Sequence, residues 1–271
     1  MQKLSTHLKQ IIQLQRNYRA ALPGRDMILA RIFNSEYDEI IKREKQLSPR
    51  EAENLRTLSF AVHEKAQTEK LDLQLIVSLH EIITTKTGDE TYGRFRKHKE
   101  RARIKTEIED YVAPKPAQMH KILDEILVTY YSSHQQGIVK RLAQLHLNFC
   151  HARPFVDANG RVARALVNHL LIREGFPPII FPIYHKIDRK KYNESFQEFN
   201  KKKLTKKMEE IIAEALIDSL NKRLAYLDYK KIIPLSTYAK SKKIPIPNLL
   251  NKAKRRSIPA FVEDGEWRIG V

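Results

Sequence analysis

Arg153-Pro-Phe-Val-Asp-Ala-Asn-Gly-Arg-Val-Ala-Arg164 holds the densest chemistry in the chain. A loop ending in Asn159-Gly160 runs straight into a predicted helix. The unsatisfied N–H groups and the dipole at a helix start attract anions. Gly160 lets backbone approach a phosphate closely. Arg161 and Arg164 lie three apart on the first turn, so both can face one anion, and a guanidinium fork suits phosphate oxygens. Asp157 is placed to hold Mg²⁺, which often bridges one carboxylate and phosphate oxygens. Phe155 would anchor the loop in the core. The residues alone also fit a plainer arrangement, a helix cap with surface arginines.

Outward from this loop the chain reads as helices. Residues 138–151 form an apolar helix before it. The helix beginning at Asn159 or Gly160 carries Val162, Leu166 and Leu170 on one stripe and ends at Gly175 and Pro177-Pro178. Helices are also expected at 2–21, 25–45, 70–85, 189–200 and 205–226, with Pro116 opening another to about Ser132. Ser48-Pro49-Arg50-Glu51 has the pattern of an N-cap, a proline at N1 and a glutamate at N3. Residues 101–112 alternate with period two, the mark of a small hairpin.

The last forty residues differ in composition, being segmented by Pro234, Pro245, Pro247 and Pro259. Ser236 is expected to cap a short helix, Pro247 to open a second through Arg256, and Asp264-Gly265 to turn between two strands. Helix, helix, hairpin in this span resembles a small winged helix-turn-helix domain of the excisionase type. Lys252, Lys254, Arg255 and Arg256 on the second helix would meet a major groove, with Arg268 on the wing. A basic docking module without nucleic acid is the alternative. Trp267 is expected in the core of the wing.

With 271 residues the chain has ample length for a core, and 42% hydrophobic with 30% charged residues is a globular composition. The net charge of +18 attracts polyanions. It is concentrated at 94–105, 186–207 and 231–271, each net +6, while the rest of the chain is balanced. No apolar run approaches the roughly 18–20 residues of a membrane span, and the first residues lack the apolar stretch of a signal peptide. The lone cysteine, Cys150, gives no disulfide framework; a cytoplasmic location is the expectation.

The quoted stretch resembles the motif of the Fic (filamentation induced by cAMP) family of nucleotidyltransferases, His-Pro-Phe-x-Asp-Gly-Asn-Gly-Arg-x-x-Arg. The match holds at Pro154, Phe155, Asp157, Asn159, Gly160, Arg161 and Arg164. Gly93-Arg94-Phe95-Arg96, the 103–116 segment, His146, Phe149, Gly175-Phe-Pro-Pro178 and Arg189-Lys-Lys-Tyr192 extend the likeness over about 70–215. The resemblance implies a mostly α fold: a helical bundle with a small β-hairpin flap, followed here by the winged module. The expected organisation is an N-terminal helical region at 1–66, the Fic domain at 67–215, a connecting helix at 216–230 and the module at 231–271. It further implies binding of ATP with Mg²⁺ and transfer of AMP to a hydroxyl of a target protein paired along the flap, at Arg103, Ile104 and Lys105. By the same analogy Asp157 holds Mg²⁺, Asn159, Gly160 and Arg161 cradle phosphates, and Arg164 meets the terminal phosphate.

Two departures bear on activity. The family's catalytic histidine falls on Arg153, and arginine stays protonated with no acceptor atom, so it cannot serve as general base. His151, two residues earlier, would point away by about 200° of helical turn, which weakens it as a substitute. Ala158 replaces the motif's first glycine, a cost if φ is positive there. Many members carry an inhibitory helix, and Phe33 would stand at the position of its glutamate; an ordinary amphipathic helix is the alternative reading of that segment. The expected function is a nucleotide-binding signalling regulator that acts at DNA, impaired in AMP transfer; an active AMP transferase is the alternative. A homo-oligomer is compatible with either, and no membrane partner is expected.

Overall fold

The computed structural model describes residues 2–43, 47–88, 92–97, 100–102, 112–182, 186–228 and 231–271. In chain order the elements are α1 (Gln2–Ala21), α2 (Asp26–Arg43), α3 (Pro49–Thr68), α4 (Leu73–Thr84), α5 (Pro116–Ser132), α6 (Ile138–Ala152), α7 (Asn159–Arg173), α8 (Lys186–Lys202), α9 (Lys206–Leu227), β1 (Ile232–Pro234), α10 (Leu235–Lys242), α11 (Ile246–Lys254), β2 (Ala260–Glu263) and β3 (Glu266–Gly270). The fold is mostly helical with one small sheet, as the sequence implies. The expected flap residues Arg103, Ile104 and Lys105 lie outside the described residues.

The chain divides into two compact units, each assembled from separated segments. One comprises Arg43–Glu174 and Phe181–Ile212 and contains α3 to α8. In it α7 packs against α3, α4 and α6, while α6 also meets α5 and α8. Helices in that position are apolar on most sides, and α6 and α7 are. Leu142, Leu147, Phe149, Val162 and Leu166 are completely buried. Local chemistry sets the helix starts. Ser48 Oγ accepts the Glu51 N–H at 3.2 Å and Glu51 Oε2 accepts the Ser48 N–H at 3.0 Å, a reciprocal capping box. Asp72 caps α4 by accepting the Leu75 N–H at 2.8 Å. Pro116 occupies the first turn of α5, where a missing N–H costs nothing.

The other unit comprises Met1–Lys42, Gly175–Ile180 and Ala213–Val271. Buried charge ties its segments together. Arg223 forms a two-pronged pair with Glu36, at 2.7 and 3.0 Å. Lys222 meets Glu263 at 3.0 Å, and Tyr226 donates its hydroxyl to the same carboxylate. Arg256 pairs with Asp218 at 2.9 Å and Glu214 at 3.2 Å. Burial raises the Asp218 carboxyl to about 6 against the pull of that arginine.

The C-terminal strands form an antiparallel sheet in the order β1-β3-β2. Val262 pairs with Trp267 and Glu263 with Glu266 around Asp264-Gly265, both at positive φ, the geometry of a tight hairpin turn. Leu235, Ala239, Leu249, Ala253, Ala260 and Ile269 form the core of this module, and Trp267 packs against it as expected. Three local expectations are corrected. The short strand β1 is additional; it forms an edge, where Pro234 needs no donor. That proline is the N-cap of α10, so the helix starts at Leu235 and Ser236 already lies within its first turn. Finally, α11 starts at Ile246 and stops at Lys254, because Arg256 takes a left-handed φ of 53° that no helix continues.

Candidate functional site

The motif loop lies between the end of α6 and the start of α7. Arg153 is the C-cap of α6, with φ 43° and ψ 65°, and its N–H bonds to the Phe149 carbonyl. The chain then turns inward at Phe155, which is fully buried. Its ring stacks on His80 at 3.8 Å, nearly parallel, and on Phe95 at 5.3 Å. The Asn159 side chain holds the loop closed: Oδ1 accepts the Phe155 N–H at 2.9 Å and Nδ2 donates to the Phe155 carbonyl at 2.8 Å. This amide is thus committed to the loop. What the start of α7 offers an anion is its first backbone N–H groups, which have no partner one turn back.

Ala158 sits at φ 61° and ψ 5°, so the glycine-favouring conformation is present and an alanine bears its cost. Asp157 Oδ1 accepts the Ala158 N–H at 2.7 Å. A Cβ on Gly160 would come within 3.3 Å of Arg164 Nη1, so this guanidinium lies across the first turn of α7. Arg161 Nη1 is 3.5 Å from Glu51 Oε1. One carboxylate at Asp157 suffices for Mg²⁺ when phosphates and water supply the remaining ligands, so the residues fit that ion.

Arg96 braces the loop from outside the motif. The buried guanidinium donates from Nε to the Arg153 carbonyl at 2.7 Å, and from Nη2 to Pro114 at 3.0 Å and Ala152 at 3.4 Å. Its backbone N–H meets the Pro154 carbonyl at 2.8 Å. A cation on the last carbonyls of α6 also opposes the helix dipole. Nearby, Arg94 forms a two-pronged pair with Glu100 at 2.7 and 2.8 Å. These bonds, with the Lys97 N–H, bring the Glu100 carboxyl down to about 2. Two arginines of the 94–105 patch therefore do structural work. Neither role is visible in spacing; the Gly-x-Phe-Arg signature marks Arg96 without saying what it does.

Two histidines are neutral residents of the helix pack. His146 is buried beside Phe181 and Tyr192, with Nε2 2.7 Å from the tyrosine hydroxyl. Burial, reinforced by the Arg164 charge, lowers it to about 3. His151 donates from Nδ1 to Asn200 Oδ1 at 3.2 Å and lies edge-on to Phe199, both on α8. Burial, then the Lys203 charge, lowers its pKa. Cys150 Sγ is 4.0 Å from His146 Nε2, and burial raises the thiol to about 12 despite Arg153 and Arg164. A thiol held so far above neutrality is a poor nucleophile.

This loop and its frame coincide with a family model. The description Fic/DOC family matches residues 70–171, from the start of α4 through the motif to most of α7. Residues 70–171 are a Fic domain. Protein adenylyltransferase Fic of Drosophila virilis is 31% identical over 128 residues, 46% of this chain and 24% of that protein. The Drosophila sechellia protein of the same name is 27% identical over 209 residues, 74% and 40% respectively. The chain thus spans a quarter to two-fifths of the length of these relatives. The Fic fold extends further: a Fic domain containing signaling protein from Bacteroides thetaiotaomicron superposes with TM-score 0.67 at 18% identity, over 82% of this chain and 97% of that one. Fic-1 from C. elegans gives 0.63 at 19%, over 82% and 71%.

The remaining candidates lie in the other unit. Lys252, Lys254 and Arg255 at the end of α11 are exposed. Arg256 is engaged with Asp218 and Glu214, and Arg268 with Glu266 at 3.4 Å and Glu263 at 3.8 Å. Phe33 is half-buried on α2. None of the described helices is long and apolar enough to cross a membrane.

Proposed function

We propose that the Fic domain binds a nucleotide polyphosphate, with Mg²⁺ at Asp157, and transfers AMP poorly. The observation that carries this reading is Arg153. It occupies the general-base position on a loop whose other parts are built: the αL turn at Ala158, the Asn159 clasp and the arginines on α7. Adenylyltransferase relatives support the reaction class. Removing a general base typically slows a reaction about 10²–10⁴-fold. We further propose that the C-terminal module is of the winged helix-turn-helix type and carries the nucleotide signal to duplex DNA through Lys252, Lys254 and Arg255, in the cytoplasm. If AMP transfer persists, its acceptor is a target protein's hydroxyl.

The test is labelled ATP with Mg²⁺. Wild type is expected to label itself weakly, and Arg153→His to label itself more strongly, since histidine tolerates the left-handed backbone better than most residues. Robust wild-type labelling that His151→Ala abolishes overturns the reading in favour of an active transferase with a displaced base.

A further inference from the structure

The three basic patches differ in how much of their charge is already spent. At 94–105, Arg94 is paired with Glu100 and Arg96 is bonded to carbonyls. At 231–271, Arg256 and Arg268 are held by carboxylates. At 186–207 the charge gathers where α8 meets α9, in Lys201-Lys-Lys-Leu-Thr-Lys-Lys207. Lys201, Lys202, Lys203 and Lys206 are exposed, and no acidic residue lies between Glu198 and Glu209. Glu194 is engaged with Lys207 at 3.3 Å, and Glu209 accepts the Thr205 hydroxyl at 2.6 Å. The corner is also fixed in shape. Lys203 stands at φ 55°, and its N–H bonds to the Phe199 carbonyl at 2.8 Å, which closes the end of α8. Its ammonium lies over the Phe199 ring, 4.9 Å from the centroid. Asn200 is bonded to His151 at 3.2 Å, and the Thr205 carbonyl accepts the Glu209 N–H at 2.9 Å as α9 begins. Backbone that is already ordered loses little entropy when its side chains meet a partner.

We propose that this corner is a second nucleic-acid contact: a sequence-blind surface for the phosphate backbone of duplex DNA, borne by the unit that holds the motif loop and separate from the C-terminal module. The choice of polyanion rests on the duplex reading above. Lysines are point charges without the planar fork that reads guanine, so they serve phosphates at any sequence. A duplex carries one charge per roughly 1.7 Å of axis, so a compact set of cations meets phosphates wherever it lands. Leu204 is 48% exposed among the lysines. One such side chain gives a bilayer less apolar contact than a single acyl chain, which by itself binds only marginally. An anionic membrane is therefore the poorer fit, and its binding is an outcome of the test.

The test starts from the full chain with Lys252, Lys254 and Arg255 changed to alanine, which removes the exposed cations at the end of α11. Titration of labelled duplexes of two unrelated sequences is expected to show residual binding, equal for both. Its log affinity should fall against log salt with a slope of about −3 to −4, a loss of roughly 100-fold between about 50 and 200 mM. Adding Lys201→Gln, Lys202→Gln, Lys203→Gln and Lys206→Gln is expected to abolish that binding, and arginine at the same positions to keep it. An unchanged thermal midpoint checks that the glutamine variant is folded. Residual binding that the glutamines leave intact overturns the corner. So does an alanine variant that binds no duplex while wild type does, and the module's role then stands. Loss of all binding on placing the glutamines in wild type, with none on placing the alanines, keeps the corner and overturns the module. No duplex binding by wild type overturns both. Binding to phosphatidylserine–phosphatidylcholine vesicles that the glutamines remove, without binding to duplex, assigns the corner to a membrane and overturns the proposal.

Discussion

Arg96 donates from Nε to the carbonyl oxygen of Arg153 at 2.7 Å, joining the Gly-x-Phe-Arg segment to the first residue of the motif loop. The loop conformation therefore depends on a residue 57 positions earlier. Hydrogen bonds from a buried charged donor are worth more than neutral ones, and here the guanidinium serves the Ala152 and Arg153 carbonyls at the end of α6 and the Pro114 carbonyl ahead of α5. Arg96→Ala is expected to destabilise the Fic domain by roughly 3 kcal/mol or more, and Arg96→Lys to recover less than half, since one ammonium cannot span carbonyls on both sides. Urea unfolding measures both; a loss near zero would contradict the bracing role.

Ala158 gives a prediction of opposite sign. Its left-handed backbone costs an L-residue with a Cβ roughly 1–2 kcal/mol. Glycine removes that cost but adds disorder to the unfolded chain. Ala158→Gly is expected to raise stability by about 0.5–1 kcal/mol, seen as a higher thermal midpoint. A lower midpoint would mean that the loop is relaxed with alanine.

His146 sets an acid limit. Its native pKa of about 3 lies below the unfolded value of about 6.5. The native state keeps it neutral while the unfolded chain takes a proton. The stability from its burial is complete above about pH 6.5 and is lost as pH falls toward 3. His146→Gln, which has no titrating group, is expected to flatten the stability profile between pH 6.5 and 4, measured by urea midpoints at each pH. An unchanged slope would assign the acid sensitivity elsewhere.

The basic end of α11 divides into free and engaged residues. Substituting Lys252, Lys254 and Arg255 together by alanine is expected to leave folding within about 0.5 kcal/mol, because exposed positions contribute little. Duplex binding should weaken, and the slope of log affinity against log salt should flatten by about 2 to 3. Arg256→Ala is expected to destabilise the unit instead, since it takes the paired guanidinium from the buried Asp218 and one of its cations from Glu214, which keeps Lys3. Titration of labelled duplex at several salt concentrations decides between these outcomes.

Much of the fold was legible because its signals are local. Pro116 at the start of α5, the Ser48–Glu51 capping box and the Asp264-Gly265 turn each act within four residues. The left-handed demand at position 158 was likewise written in a motif where the family has glycine. What sequence could not show acts at a distance. Glu51 reaches Arg161, and Arg96 gathers the carbonyls of Pro114, Ala152 and Arg153, only after the chain has folded. The clasp of Asn159 on Phe155 was equally out of sight, although its amide matches one backbone N–H and one carbonyl at once. The strand β1 was hidden by Pro234, which argues against strand in general but not at an edge.

The pairing of Glu36 with Arg223 also orders events in time. The two residues are 187 positions apart, and His7 lies 3.5 Å from the carbonyl of Arg255, 248 positions on. During synthesis Glu36 and the helices α1 and α2 emerge long before their partners exist. The segments of the other unit, up to Ile212, can condense while α1 and α2 still wait with unmatched charge and uncovered apolar faces. Completion of that unit is therefore a late, long-range step.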